Sequence, residues 1–232
     1  MQLPSRALES SALSAPAFPI AVLPPAIQIA PDRETRIKSP SASDWSLSES
    51  KRLFDLSIAL LVLALLGLPL LAIALCVRLC SRGPAFFVQQ RVGRWGQLFR
   101  IYKFRTMTFG SDKNGPAITV AGDRRITALG RWLRRLKIDE LPQFYNVLRG
   151  EMSMVGPRPP VASEVEQYDL SHLRRLDVQP GMTGLWQVEA RQDPSFDSYI
   201  SLDTAYVENW NLWLDLKILA RTVGVVFSGT GS

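Results

Sequence analysis

One stretch constrains this chain more than any other: LSIALLVLALLGLPLLAIALCV, Leu56 to Val77. It runs about 22 residues without a charge, long enough to cross a bilayer as a helix. A single span is the usual outcome for such a segment. Two features point elsewhere. Gly67 and Pro69 sit at its midpoint, where a proline removes a helix hydrogen bond and kinks the chain. Both flanks are basic, with Arg33, Arg36, Lys38, Lys51 and Arg52 before the run and Arg78, Arg82, Arg91 and Arg94 after it. The positive charge that orients spanning helices therefore favours neither end. A helix that enters, bends at Gly67-Leu68-Pro69 and returns to the same leaflet satisfies both ends. Asp55, beside the run, then needs Arg52 or interfacial water as a partner.

Around this anchor the chain divides in three. Residues 1–48 form a Pro- and Ser-rich tail with the composition of a disordered segment. Residues 49–82 form the re-entrant membrane hairpin, and residues 83–232 the remaining domain, expected at the cytosolic face of the membrane. The two cysteines, Cys76 and Cys80, end the apolar run and read as apolar filler, since no zinc spacing accompanies them and His172 is the only histidine.

The net charge is +6 and the pI about 9.6, which calls for an anionic partner. Between Arg82 and Arg149 roughly fourteen Lys and Arg face about four Asp and Glu. Alternation on either side of VGRWG predicts a β-hairpin, Phe86–Val92 with Gln97–Met107, in which Lys103 and Arg105 share a cationic face. Arg125 to Lys137 predicts an amphipathic helix with Ile126, Leu129, Trp132, Leu133 and Leu136 in one stripe, suited to a surface of anionic lipid. A helix from Leu141 to Arg149 follows, with Asp139 at its N-cap and Pro142 in its first turn. Capping accounts for Asp139 but not for Glu140 beside it in a basic block. GPRPP, Gly156 to Pro160, is a stiff turn that presents Arg158 in an extended conformation suited to phosphate. Gln179 to Arg191 is a second glycine-punctuated loop, and two helices rich in Trp, Tyr and Leu close the chain. The fold class is α+β, mainly α, with interfacial amphipathic helices and one small β-hairpin.

Several motifs occur in one order: KRLFD, the proline-broken apolar run, QQRVGRWGQLFRIYKFRTM, DRRITALGRWLRRLKIDELPQFYNVLRGEMSMVGPRP, PGMTGLWQV and a late D-x-x-Y-V-x-N-W. In this the chain resembles the bacterial sugar transferases, the monotopic phosphoglycosyl transferases, from about Lys51 to the C-terminus. It is similar to the short catalytic-core form found in exopolysaccharide synthesis.

The resemblance implies transfer of a sugar-1-phosphate from a UDP-sugar to undecaprenyl phosphate, with release of UMP, at the cytoplasmic face of the bacterial inner membrane. It implies that Asp139 is the nucleophile, forming an aspartyl-phosphosugar intermediate. Glu140, with Asp139, would hold Mg²⁺. Lys103, Arg105, Arg158 and Arg191 would bind phosphate, and anionic lipids would surround the site. The chain departs from the family pattern at Leu68-Pro69, where Ser-Pro is frequent, and at Ala190-Arg191, where a glycine often precedes the arginine. Self-association is left open, as is the sugar. A different class of function, a membrane-bound nucleic-acid or regulatory binding protein, would use the same positive charge, but no nucleic-acid motif accompanies it.

Overall fold

The computed structural model describes residues 48–111, 122–190 and 195–227. The tail expected over 1–48 lies outside them apart from Ser48. Helix α1 (Glu49–Cys80) leads into a hairpin of β1 (Phe86–Val92) and β2 (Leu98–Phe104). Then come α2 (Ala128–Arg135), a 3-10 turn Ile138–Gln143 and α3 (Phe144–Arg149). Strand β3 (Ser153–Val155), the single-turn α4 (Ala162–Val165) and a 3-10 turn His172–Leu176 precede β4 (Gly181–Thr183). The chain closes with α5 (Leu185–Glu189), α6 (Phe196–Asn209) and α7 (Leu212–Phe227). Helices dominate, as expected.

The apolar run is a single helix of 32 residues that starts under a Ser48 cap and keeps Pro69 inside it. The turn expected at Gly67-Leu68-Pro69 does not divide it into two arms. The reason lies in what holds it on either side. One stripe of the helix buries Lys51, Asp55 and Ala59 and packs Ile58, Val62 and Leu63 against the main core. The same stripe resumes at Leu70, Ile73, Ala74 and Val77, which pack with Phe104 and Leu133. Between these contacts Leu65, Leu66, Leu68 and Pro69 are exposed, and Gly67 has open space around it. The opposite face, Leu53, Leu60, Leu61, Leu71, Leu75 and Leu79 with Cys76 and Cys80, is bare along the whole helix.

Both ends of α1 are fixed to the same body. At its start Lys51 Nζ lies 2.6 Å from Asp215 Oδ2 and 3.5 Å from Asp55 Oδ1, and Tyr206 donates to Asp215 Oδ1 at 2.7 Å. Asp55 therefore pairs with Lys51 and the Met154 amide, not with Arg52. Arg52 instead donates to Val147 O and Leu148 O at the end of α3. At the other end, the Arg105 guanidinium gathers the carbonyls of Val77, Ser81 and Arg82. It thereby satisfies acceptors that a helix C-terminus leaves open.

The hairpin pairs Phe86 with Phe104 through to Val92 with Leu98. The second strand ends before the expected Met107, because Arg105 turns away to α1. Asn146 of α3 is fully buried and ties the hairpin down: its amide donates to Arg100 O, and its Oδ1 accepts from Tyr102 N. Strands β3 and β4 pair in parallel and lace the GPRPP segment to the PGMTG segment. A Cβ on Gly181 would fall 2.1 Å from Gly156 N, so only glycine permits this approach. The aromatics of α6 and α7 divide. Tyr206 and Trp210 stack in the core at 5.9 Å, while Trp213 is exposed.

Candidate active site

The site begins with the side-chain alternation of the hairpin. Gln89, Arg91 and Lys103 fall on one face of the β1–β2 ribbon, and the 3-10 turn that carries IDELPQ packs against β2. That turn opens from Lys137, which adopts a left-handed φ of 58° unusual for a residue with a side chain. Asp139 is not the N-cap the sequence suggests. It is the second residue of the 3-10 turn, buried, and free of capping duty.

Lys103 Nζ lies 2.7 Å from Glu140 Oε1, with both side chains part-exposed. The two neighbouring carboxyls are driven in opposite directions. Burial pushes Asp139 up to about 6, Glu140 pushes in the same sense, and Lys103, Lys137 and Arg134 only partly offset them. For Glu140, desolvation is outweighed by Lys103, Lys137 and Arg158, which hold it at about 2. At neutral pH Glu140 is a permanent anion, and Asp139 is an ionised carboxylate of raised basicity. That difference separates a charge-holding group from a nucleophile or base.

Arg158 is exposed within an otherwise buried stretch, between Pro157 and Pro159, and its guanidinium sits 5.9 Å over the Trp186 ring. Its charge reaches Glu140. The structure therefore brings together Lys103, Asp139, Glu140 and Arg158. It does not bring Arg105 to them, because that guanidinium is spent on α1. Arg191 lies outside the described residues.

Three cations that sequence reasoning did not assign to the site belong to it. Lys137 and Arg134 act on both or one of the carboxyls, and Arg91 lies within reach of Arg158 and Glu140 while donating to Pro159 O at 3.0 Å. Hairpin register carried the signal for Arg91, since pairing Phe87 with Lys103 puts residues 89 and 91 on the lysine's face.

Among the described residues, no three His, Cys, Asp or Glu side chains gather as a metal cage. The Asp139–Glu140 pair is the donor set a magnesium ion uses when substrate phosphates and water supply its remaining ligands. On donor chemistry the site fits that ion.

A buried carboxylate of raised basicity, an adjoining fixed anion and converging cations are suited to covalent attack on a phosphoryl group. The comparisons place the chain among sugar transferases. The family model described as bacterial sugar transferase matches residues 46–229. The galactosyl transferase CpsE of Streptococcus agalactiae is 41% identical over 195 residues, covering 79% of this chain and 43% of that protein. The undecaprenyl-phosphate galactose phosphotransferase of Salmonella typhimurium is 41% identical over 199 residues, 78% of this chain and 41% of its own. The exopolysaccharide production protein ExoY of Sinorhizobium fredii is 41% identical over 198 residues, 79% of this chain and 88% of its own. The chain thus spans less than half the length of the first two and most of the third. With the family model covering all but the two ends, this chain belongs to the bacterial sugar transferase family.

Proposed function

We propose that this chain moves a sugar-1-phosphate from a UDP-sugar to undecaprenyl phosphate. UMP is released and undecaprenyl-diphosphate-sugar is formed, the membrane step that opens exopolysaccharide or related glycan synthesis. The observation that carries the reading is the buried Asp139 beside the Lys103–Glu140 pair, with Lys137 and Arg134 acting on it. An Asp139 oxygen attacks the β-phosphorus, and the bond from that phosphorus to the bridging oxygen breaks, so UMP leaves with the electron pair. An oxygen of the lipid phosphate then attacks the same phosphorus and returns Asp139 as a free carboxylate. Each half-reaction exchanges one phosphorus–oxygen bond for another. Lys103, Lys137 and Arg158 offset the charge on the diphosphate and on the transition states. Glu140, with Asp139, would hold Mg²⁺, which supplies further neutralisation of phosphate charge when bound.

α1 is long and apolar enough to cross a membrane. Its attachments bear on its topology. A helix of 32 residues is about 48 Å long. A transverse span would leave its two ends on opposite sides, yet both are bonded to one polar body. This supports a helix that enters and leaves the same leaflet, bowed at the uncovered Gly67–Pro69 segment, with the site at headgroup level on the cytoplasmic face. Polyprenyl phosphate presents its reactive end at that depth, and anionic lipid complements the exposed Arg131 and Arg135 of α2.

The test is UMP release from a panel of UDP-sugars with undecaprenyl phosphate and Mg²⁺, comparing wild type with Asp139→Asn. Release with one donor, lost in Asp139→Asn and in chelator, is the expected result. Release that survives Asp139→Asn would remove Asp139 as nucleophile.

A further inference from the structure

We propose that Arg175 and Asp203 are positioning residues that set Arg158 for diphosphate binding; this rests on the function proposed above. Arg175 and Asp203 form an ion pair whose side chains are both fully buried, joining the 3-10 turn His172–Leu176 to α6. An arginine charge withdrawn from water this far needs several partners at once. Arg175 has them. Its guanidinium bonds Asp203 and the Tyr168 hydroxyl, lies 4.0 Å over the Tyr199 ring, and donates to Arg158 O at 3.0 Å.

The last bond links the cluster to the site. The Arg158 carbonyl is fixed by Arg175. Its side chain rests over Trp186, and Trp186 meets the edge of Tyr199 with ring centroids 5.5 Å apart. Arg158 is thus held at two points, main chain and side chain, and both lead back to Arg175. Pro157 and Pro159 remove most of the remaining freedom of the segment. Arg175 and Asp203 are not among the site cations, and the hydrogen bond that ties them to the site is the one from Arg175 to Arg158 O.

The experiment is calorimetric titration of UDP, which carries the diphosphate without a transferable sugar, into the full chain in detergent micelles. Wild type is compared with Arg158→Ala, Asp203→Asn, the double variant Arg158→Ala/Asp203→Asn, and Arg175→Met/Asp203→Leu. The Met/Leu pair replaces the buried charges by apolar groups of similar volume, a change that buried ion pairs often tolerate. Arg158→Ala and Asp203→Asn are each expected to weaken UDP about tenfold. The Arg158→Ala/Asp203→Asn double is expected to be no weaker than Arg158→Ala alone, because both act through one contact. Arg175→Met/Asp203→Leu should fold as judged by circular dichroism yet bind UDP like Arg158→Ala.

Additive losses in the double variant, wild-type affinity in Arg175→Met/Asp203→Leu, or a wild type that ignores UDP would each overturn the proposal. Should the Met/Leu variant not fold, the coupling between Arg158→Ala and Asp203→Asn decides alone. UMP release by wild type is scored separately. Coupled UDP binding without UMP release from any donor would sink the transfer reaction and leave the positioning role standing.

Discussion

Lys103 on the second strand and Glu140 on the following 3-10 turn meet at 2.7 Å, and this pair divides the labour between two adjacent carboxylates. Glu140 is neutralised locally and stays ionised. Asp139, next in the chain and deeper, keeps the raised basicity that burial gives it. A pH profile follows. UMP release should be flat near neutrality and fall with unit slope below about pH 6, as Asp139 takes up a proton. Lys103 lowers the Asp139 value, so Lys103→Gln should move that acid limb upward as well as reducing the rate. A limb that stays in place in Lys103→Gln, measured on kcat/KM for the UDP-sugar, would count against the electrostatic coupling.

Asp139→Asn carries a second signature, in stability. Burial raises the folded-state value from 3.8 to about 6, so the charged form is less favourable in the folded protein than in the unfolded chain. The stabilising contribution of such a group is complete below its unfolded value and is lost as pH rises through its folded value. Asparagine removes the cost at neutral pH and changes little near pH 3.5, where the folded state is protonated and the unfolded state mostly so. The gain at pH 7.5 is at most about 3 kcal/mol. Thermal melts of the two proteins at the two pH values check it. An inactive Asp139→Asn that melts below wild type at pH 7.5 would show that the aspartate holds structure rather than storing reactivity.

Gly130 stands where α2 crosses the end of the hairpin. A Cβ there would lie 2.0 Å from Thr106 O, a backbone atom that cannot swing aside. Gly130→Ala should therefore cost roughly 3 kcal/mol or more, despite alanine's better helix propensity. Gly67→Ala meets nothing within 4 Å and should not lower the melting temperature. A Gly130→Ala variant as stable as wild type would mean that α2 and Thr106 are not in this contact.

Local pattern made much of the architecture legible. The hairpin, the helices after it, and the Asp-Glu pair inside a basic block all announce themselves through alternation, periodicity and charge. What pattern could not assign was which cation serves which purpose. Lys103 and Arg105 are two apart on one strand and look equivalent. The chain leaves the ribbon after Phe104, and Arg105 spends its donors on α1. Asp139 looked like an N-cap because an aspartate before a proline-bearing helix usually is one. The left-handed Lys137 starts the turn earlier and moves Asp139 inside it. Arg175 and Asp203 stand 28 positions apart, and nothing local marks them as a pair. Gly67 and Pro69 suggested a turn, but packing at Leu63 and Leu70 on either side keeps the helix unbroken.

Arg105 supplies the last prediction, since its place distinguishes a phosphate ligand from a helix anchor. Its guanidinium is buried and takes the carbonyls of Val77, Ser81 and Arg82, with the Ser81 hydroxyl as a fourth partner. Arg105→Ala leaves those acceptors without their donor at a site covered by protein, which costs roughly 3 kcal/mol. The end of α1 should fray, exposing the bonds after Arg78 and Arg82 to trypsin. A lysine reaches at most part of this set, because a single ammonium cannot span the planar fork, so Arg105→Lys should rescue poorly. Glu49→Cys at the start of α1 and Arg82→Cys just past its end, both exposed positions, should react in a variant without Cys76 and Cys80 with an impermeant maleimide from one side of the membrane only. In Arg105→Ala the Arg82→Cys site should react faster and the Glu49→Cys site unchanged. Labelling of the two ends from opposite sides would mean that α1 crosses the bilayer and that its C-terminal end does not stay with Arg105.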